Sequence, residues 1–103
     1  MYNITLLPGD GIGPEITDAV KTVIDAAGVA VRWDVKQVGL KALKENGNPL
    51  PQPVIDSIKA NKVALKGPVT TQIGEGFKSI NVTLRQTFDL YANIRPIKSM
   101  PGI

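Results

Sequence analysis

Neither cysteine nor histidine occurs among the 103 residues of the chain. Without thiols there is no disulfide framework, no zinc–thiolate or iron–sulfur ligation and no thiol nucleophile; without imidazole there is no histidine base or ligand. A self-contained Ser-His-Asp or Cys-His catalyst is therefore excluded. Aromatic residues make up only 5%, and the lysines stand mostly singly, although the balance of 12 Lys+Arg against 9 Asp+Glu gives a net charge of +3. No basic patch interleaved with stacking aromatics is present, so nucleic acid is not an expected partner. No apolar run approaches the roughly 18 residues of a membrane span, and Met1-Tyr2-Asn3-Ile4 lacks the basic and apolar regions of a signal peptide. These features predict a cytosolic (cytoplasmic) protein with no membrane partner. A chain this short buries roughly 60–70% of its unfolded surface, enough for one domain over residues 1–103 and too little for two lobes closing on a cleft.

What is present reads as alternating strands and helices. Asn3 to Leu7 is a short apolar, β-branched strand, and Pro8-Gly9-Asp10-Gly11-Ile12-Gly13 is a loop. Ile16, Ala19, Val20, Val23, Ile24 and Ala27 then recur at helical spacing, which predicts one buried face. Pro14 and Glu15 suit its first turn and Gly28 its end. Val29 to Val35 alternates as a second strand, completing a βαβ unit. Leu40 to Glu45 is a short helix stopped by Asn46-Gly47. After the stiff Pro49-Leu50-Pro51 connector, Pro53 opens a helix through Ala60, with Val54, Ile55 and Ile58 on one face. Val63-Ala64-Leu65 is a buried strand. From Lys66-Gly67-Pro68 to Gly76 runs a long loop, at the place where such sheets put ligands. Ser79 to Gln86 forms two helical turns, and Phe88 to Ile97 returns extended, with Pro96 restricting Arg95. The predicted fold class is α/β, a small, mostly parallel sheet through Ile4, Val31, Leu65 and Tyr91 with flanking helices.

Two glycine loops imitate better-known motifs. The first follows a strand and opens a helix, the setting of a dinucleotide fingerprint, but the third glycine is replaced by Pro14 and Asp10 sets a carboxylate beside the pyrophosphate position. The sheet is thus not expected to be of the Rossmann type. Gly76-Phe77-Lys78-Ser79 resembles the end of a P-loop, yet Thr71 stands where its first glycine belongs.

Of three arginines, Arg85 and Arg95 lie near the end of the chain. Each offers a planar fork for a carboxylate or phosphate. On a helix, Asn81 and Arg85 share one face, and Ser79 sits in the first turn where free N–H groups favour anions. With Arg95 reaching in from the returning strand, the set suits a small acid with several carboxylates. It holds no acid or base tuned for proton transfer, so this half-site binds and no catalytic residue is expected within the chain.

Leu7-Pro8-Gly9-Asp10-Gly11-Ile12-Gly13-Pro14-Glu15 resembles the opening of the decarboxylating β-hydroxyacid dehydrogenases, the isocitrate and isopropylmalate dehydrogenase family. Leu65-Lys66-Gly67-Pro68-Val69-Thr70-Thr71, Ser79-Ile80-Asn81-Val82-Thr83-Leu84-Arg85 and Asp89-Leu90-Tyr91-Ala92-Asn93-Ile94-Arg95-Pro96 resemble the isocitrate branch. The other branch has apolar residues in place of Ser and Asn on that helix. The resemblance implies that Ser79 and Asn81 bond one isocitrate carboxylate while Arg85 and Arg95 clamp the others. Thr70 would lie beside the nicotinamide, Lys66 nearby, and Ile12 against the adenine. Gln72 departs from the family's usual proline. The implied reaction is oxidative decarboxylation of isocitrate to 2-oxoglutarate, a step of the tricarboxylic acid cycle, with NAD or, in its place, NADP, and with Mg²⁺ or Mn²⁺. The run Asn81 to Arg85 looks more like the NAD-using group.

Family enzymes are a few times longer and form homodimers or higher oligomers, with their general acid, catalytic lysine and metal-binding aspartates beyond the point corresponding to Ile103. The resemblance therefore makes residues 1–103 the N-terminal segment of the first, large domain. It is expected to be inactive alone, without a metal site of its own, and prone to self-association through apolar surface or strand edges. The competing expectation is a stand-alone, non-catalytic chain that binds a polycarboxylate or pairs with a full-length subunit as regulatory homologues do.

Overall fold

Tyr2–Leu7 (β1) is the middle strand of a three-stranded parallel sheet in the computed structural model, which describes residues 1–70 and 79–103. Val31–Val35 (β2) lies on one side of it and Ala64–Lys66 (β3) on the other, with Ile4 opposite Trp33 and Leu6 opposite Leu65. Parallel neighbours require crossovers. These are supplied by Gly13–Ala26 (α1), then by Leu40–Asn46 (α2) and Gln52–Asn61 (α3); Ile80–Thr87 (α4) follows. The α/β class and the parallel sheet with flanking helices are as the periodicities predict.

A central strand is covered on both faces, and Thr5, Leu6 and Leu7 are at most 2% exposed. Leu7 packs with Val38 and Val54, flanked by Leu50, Ile58, Val69 and Leu84, which brings the Pro49-Leu50-Pro51 connector and α4 onto the same core. Helix α3 adds a polar cluster beside this apolar one. The buried Thr5 hydroxyl lies 2.7 Å from Ser57 Oγ and accepts from Asn61 Nδ2 at 2.9 Å, while Ser57 also bonds Asp34. Buried hydroxyls need such partners, and α3 supplies two of them one helical turn apart.

The sheet's hydrogen bonding continues past the strands. Gly67 N donates to the Leu7 carbonyl at 2.7 Å and Asp10 N to that of Pro68 at 2.8 Å, so the glycine loop after β1 is zipped to the chain leaving β3. Gly9, at φ +80°, has no space for a Cβ because the Pro68 carbonyl fills it.

Four expectations are corrected. The strand expected at Val63-Ala64-Leu65 is shifted to Ala64–Lys66 and is not buried: Val63 is 55% exposed, Ala64 is exposed, and Leu65 and Lys66 are half-buried at the edge of the sheet. The α1 stripe is not a buried face: Ile16 is 43% and Val23 68% exposed, Ala19 and Ala27 are also exposed, and Val20 and Ile24 are only half-buried. The helix is pressed down at its first turns instead, through buried Gly13 and Thr17. Periodicity records which residues share a face, not whether a neighbour covers it. β2 begins at Val31, two residues later than expected, since the chain turns out of α1 at Ala27-Gly28 and Val29 and Ala30 only lead into the strand. The strand through Tyr91 does not form. Asp89 takes a left-handed φ of 52° after α4, and residues 90–103 are exposed throughout, Tyr91 fully. A strand needs a partner for its N–H and C=O groups, and the segment meets none among the described residues. The readings placed on Thr71, Gln72 and Gly76-Phe77-Lys78 lie outside the described residues.

Candidate functional site

Helix α4 starts after Ser79, whose extended backbone (φ −52°, ψ 130°) makes it the N-cap. Its carbonyl accepts from Thr83 N at 2.9 Å and Thr83 Oγ1 at 3.0 Å, and its hydroxyl makes no capping bond. Asn81 and Arg85 are therefore one turn apart on one face, as their spacing predicts, and both line a cavity of about 580 Å³ along the outer side of β3. Lys66 at the end of β3 lines it too, with its Nζ donating to the Gly67 carbonyl at 2.7 Å. Its apolar walls come from Leu7, Ile58, Ala64, Leu84, Phe88 and Leu90.

Two lysines that sequence reasoning missed, Lys59 and Lys62, complete the polar lining. The signal was there: Lys59-x-x-Lys62 stands at the C-terminal turn of α3, where cations complement the helix dipole, directly before a strand. Four cationic side chains and, among the described residues, no carboxylate thus line one cavity, an arrangement that favours an anion. Burial and then the Arg85 guanidinium hold the Lys66 ammonium below the usual lysine range. Asn81 Oδ1 is buried without a hydrogen-bond partner among the described residues. An orphaned acceptor of this kind has room in its bonding for a donor brought by a ligand.

The other expected site residues stand apart from this cavity. Ser79, Arg95, Thr70 and Ile12 are not among its described lining residues. Arg95 is exposed on the extended tail, where its Nε donates to Asn93 Oδ1 at 3.4 Å; Arg85 lines a second, smaller cavity with tail residues 90–94, and Arg95 is not among its lining. The reason is the unformed strand, which was to have carried it back. Ile12 is the N-cap of α1 and 65% exposed, and Thr70 is exposed just beyond the zipped loops. Both sit past the C-terminal ends of the strands, the side on which open α/β sheets take ligands. An exposed apolar side chain and an exposed threonine there are suited in kind to a dinucleotide's base and ribose. No three acidic side chains come together among the described residues, so the implied Mg²⁺ or Mn²⁺ finds no ligand set on them.

Comparison with known proteins agrees with the fold and the motifs. The model of the isocitrate/isopropylmalate dehydrogenase family matches residues 3–103. Isocitrate dehydrogenase [NAD] catalytic subunit 5, mitochondrial, of Arabidopsis thaliana is 48% identical over 95% of this chain and 26% of its own length. The chloroplastic 3-isopropylmalate dehydrogenase of Solanum tuberosum is 45% identical over 99% of this chain and 29% of its own. The crystal structure of isocitrate dehydrogenase from Methylococcus capsulatus superposes with a TM-score of 0.85 at 54% identity, over 88% of this chain and 27% of that one. The chain thus spans about a quarter of the length of the relatives it matches.

The expectation of a cytosolic location is overturned, because similar isocitrate dehydrogenases are named as mitochondrial proteins. It rested on the first residues, and those are the central strand β1, part of the folded sheet and not a segment that could be read for targeting. With the motif-bearing loops, the parallel sheet and the matches in agreement, the chain belongs to the isocitrate/isopropylmalate dehydrogenase family.

Proposed function

We propose that residues 1–103 are the N-terminal segment of the large domain of an NAD-linked isocitrate dehydrogenase, carrying part of its substrate site and the edge of its cofactor site. The observation that carries this reading is α4, which turns Asn81 and Arg85 together onto a cationic cavity shared with Lys66. A planar guanidinium and an amide one helical turn apart suit the carboxylates of a small polyacid. Ser79 precedes them as the N-cap, and its hydroxyl, which makes no capping bond, favours the isocitrate over the isopropylmalate branch, since a hydroxyl and an amide side chain serve a carboxylate better than an isopropyl group. Arg95 joins the clamp when its segment is brought back against the sheet. Ile12, Thr70 and Lys66 form the dinucleotide side.

The segment supplies binding and orientation; bound NAD would accept the hydride, and proton transfer and the divalent metal belong to chain beyond Ile103 or to a partner subunit in a homodimer or larger oligomer. Alone it is inactive and self-associates through strand edges of the sheet and the exposed α1 stripe.

The test uses the longer polypeptide read from the coding frame beyond Ile103. Arg85→Ala and Ser79→Ala, made separately, should each lower kcat/KM for isocitrate while leaving dinucleotide binding nearly unchanged. Loss of the desolvated guanidinium bond in Arg85→Ala costs about 2–4 kcal/mol. Unchanged kinetics in both variants would remove the substrate role, and steady-state NADH formation by the pure 103-residue chain would refute its inactivity. A frame that stops at Ile103 would favour the non-catalytic polycarboxylate-binding chain.

A further inference from the structure

Asp10 is the one carboxylate in the glycine loop, and in a dinucleotide fingerprint it would oppose the pyrophosphate. Its side chain is not offered to a ligand at all. Oδ2 accepts from Thr70 N at 2.9 Å, and both carboxylate oxygens lie 3.1 Å from Leu40 N, the first amide of α2. Its own backbone N–H is tied to the Pro68 carbonyl at 2.8 Å. One residue therefore joins the loop after β1, the start of α2 and the chain leaving β3, segments 30 and 60 residues away. Gly39, at φ +81°, precedes Leu40, and a Cβ there would overlap the Asp10 carboxylate. The pocket for this carboxylate is thus built from two backbone amides and the bare Cα of a glycine. Charge-assisted bonds of this kind are about twice as strong as neutral ones. The carboxylate adds a negative charge beside the loop and spends it on amides of two distant segments, so this residue serves to tie the loop down and not to cradle a phosphate.

We propose that Asp10 is a positioning residue for the cofactor side of the site: by fixing the Thr70 amide against the start of α2 it sets where the Thr70 side chain stands. The assignment of Thr70 to the dinucleotide rests on the function proposed above; the bridging does not. Asp10 touches no substrate and takes no part in proton transfer. Its removal frees the residue that emerges first from the zipped loops, while the sheet's own ladder stays paired.

Two measurements on the labelled 103-residue chain need no ligand. In the unsubstituted chain a scalar coupling across the hydrogen bond should link the Asp10 carboxyl carbon to the Thr70 nitrogen, and its absence would overturn the proposal. In Asp10→Ala the amides of Thr70 and Leu40 should exchange roughly tenfold faster or more, with the ladder amides of Thr5 and Lys36 unchanged. Thr70 protected as before would sink the idea. Should Asp10→Ala fail to fold, Asp10→Asn decides: one neutral oxygen in the Oδ2 position still reaches both amides but binds them more weakly than a carboxylate, so both should exchange faster than in the unsubstituted chain, and unchanged exchange at both counts against the bridge. In the longer polypeptide Asp10→Asn should raise KM for NAD by about tenfold with KM for isocitrate changed less than about twofold. An equal rise in both overturns the cofactor-side assignment. Failure of the whole protein to use isocitrate strikes the proposed function and leaves the coupling and exchange results standing.

Discussion

Residues 1–70 and residues 79–103 are similarly furnished with apolar side chains and meet different fates. In the first region Leu6, Leu7, Val38 and Val54 are at most 2% exposed, and the strands pair residue by residue. In the second, Ile80 is buried, but Leu90, Tyr91, Ile94 and Ile97 stand 58–100% exposed. The difference is not one of hydrophobicity. β1 has a hydrogen-bonded neighbour on each side, and its burial and its ladder support each other; the segment after Asp89 has comparable residues with no partner strand among the described residues. Apolar side chains are driven together only where the backbone that carries them can also be satisfied.

The contrast breaks most visibly at paired leucines. Leu7→Ala empties a site 1% exposed and should cost about 2–5 kcal/mol in urea unfolding, whereas Leu90→Ala, at 58% exposure, should change stability by less than about 0.5 kcal/mol. Comparable losses at the two positions would mean that the tail is docked in solution and that the two regions form one cooperative core.

A glycine pair sharpens the same comparison with backbone geometry held constant. Gly9 and Gly102 share nearly the same left-handed backbone, φ +80° and +81°, but the Pro68 carbonyl crowds the first and nothing lies within 4 Å of the second. Alanine at either position meets the intrinsic left-handed penalty of about 1–2 kcal/mol, and Gly9→Ala adds overlap of about 1–3 kcal/mol. Gly9→Ala should therefore lower stability by about 2–5 kcal/mol. Gly102→Ala should leave the unfolding midpoint in place, because its penalty falls on a segment that contributes little to the packed state. A matching loss at Gly102 would show that the left-handed turn near Ile103 is coupled to the core.

The limits of the sequence follow the same line. The periods of β1, α1 and α3, the glycine and proline stops and the one-turn spacing of Asn81 and Arg85 are local, and the folded chain keeps them. What lay beyond reach was pairwise. Nothing in Val20, Val23 and Ile24 says whether a neighbour covers them, and nothing in Tyr91 to Ile97 says whether a strand lies alongside. Lys59 and Lys62 come to the cavity only because α3 runs straight into β3. Asp10 read as a misfit within a phosphate motif, and its partners lie too far along the chain for spacing to show them.

The smallest effect lies at the polar core, where Asp34 reports how the packed region holds its charges. A hydrogen bond from Ser57, aided by the Lys36 ammonium 3.4 Å away and by Asn61, outweighs partial desolvation and holds this carboxyl below the usual aspartate range. The folded state therefore binds the proton less readily than the unfolded chain. Its contribution to stability is present above the ordinary aspartate range and is lost as the pH falls through that range toward the depressed value. The side chain is 41% exposed, so solvent screening keeps the effect small. Unfolding midpoints in urea, followed from neutral pH into the acid range, should fall less steeply in Asp34→Asn than in the unsubstituted chain. Ser57→Ala should flatten most of the same slope by removing the principal bond. High salt should weaken only the Lys36 part, since a direct hydrogen bond is little screened. If salt abolishes the whole difference between Asp34→Asn and the unsubstituted chain, the ion pair and not Ser57 governs Asp34, and the polar core is no better insulated from solvent than the exposed tail.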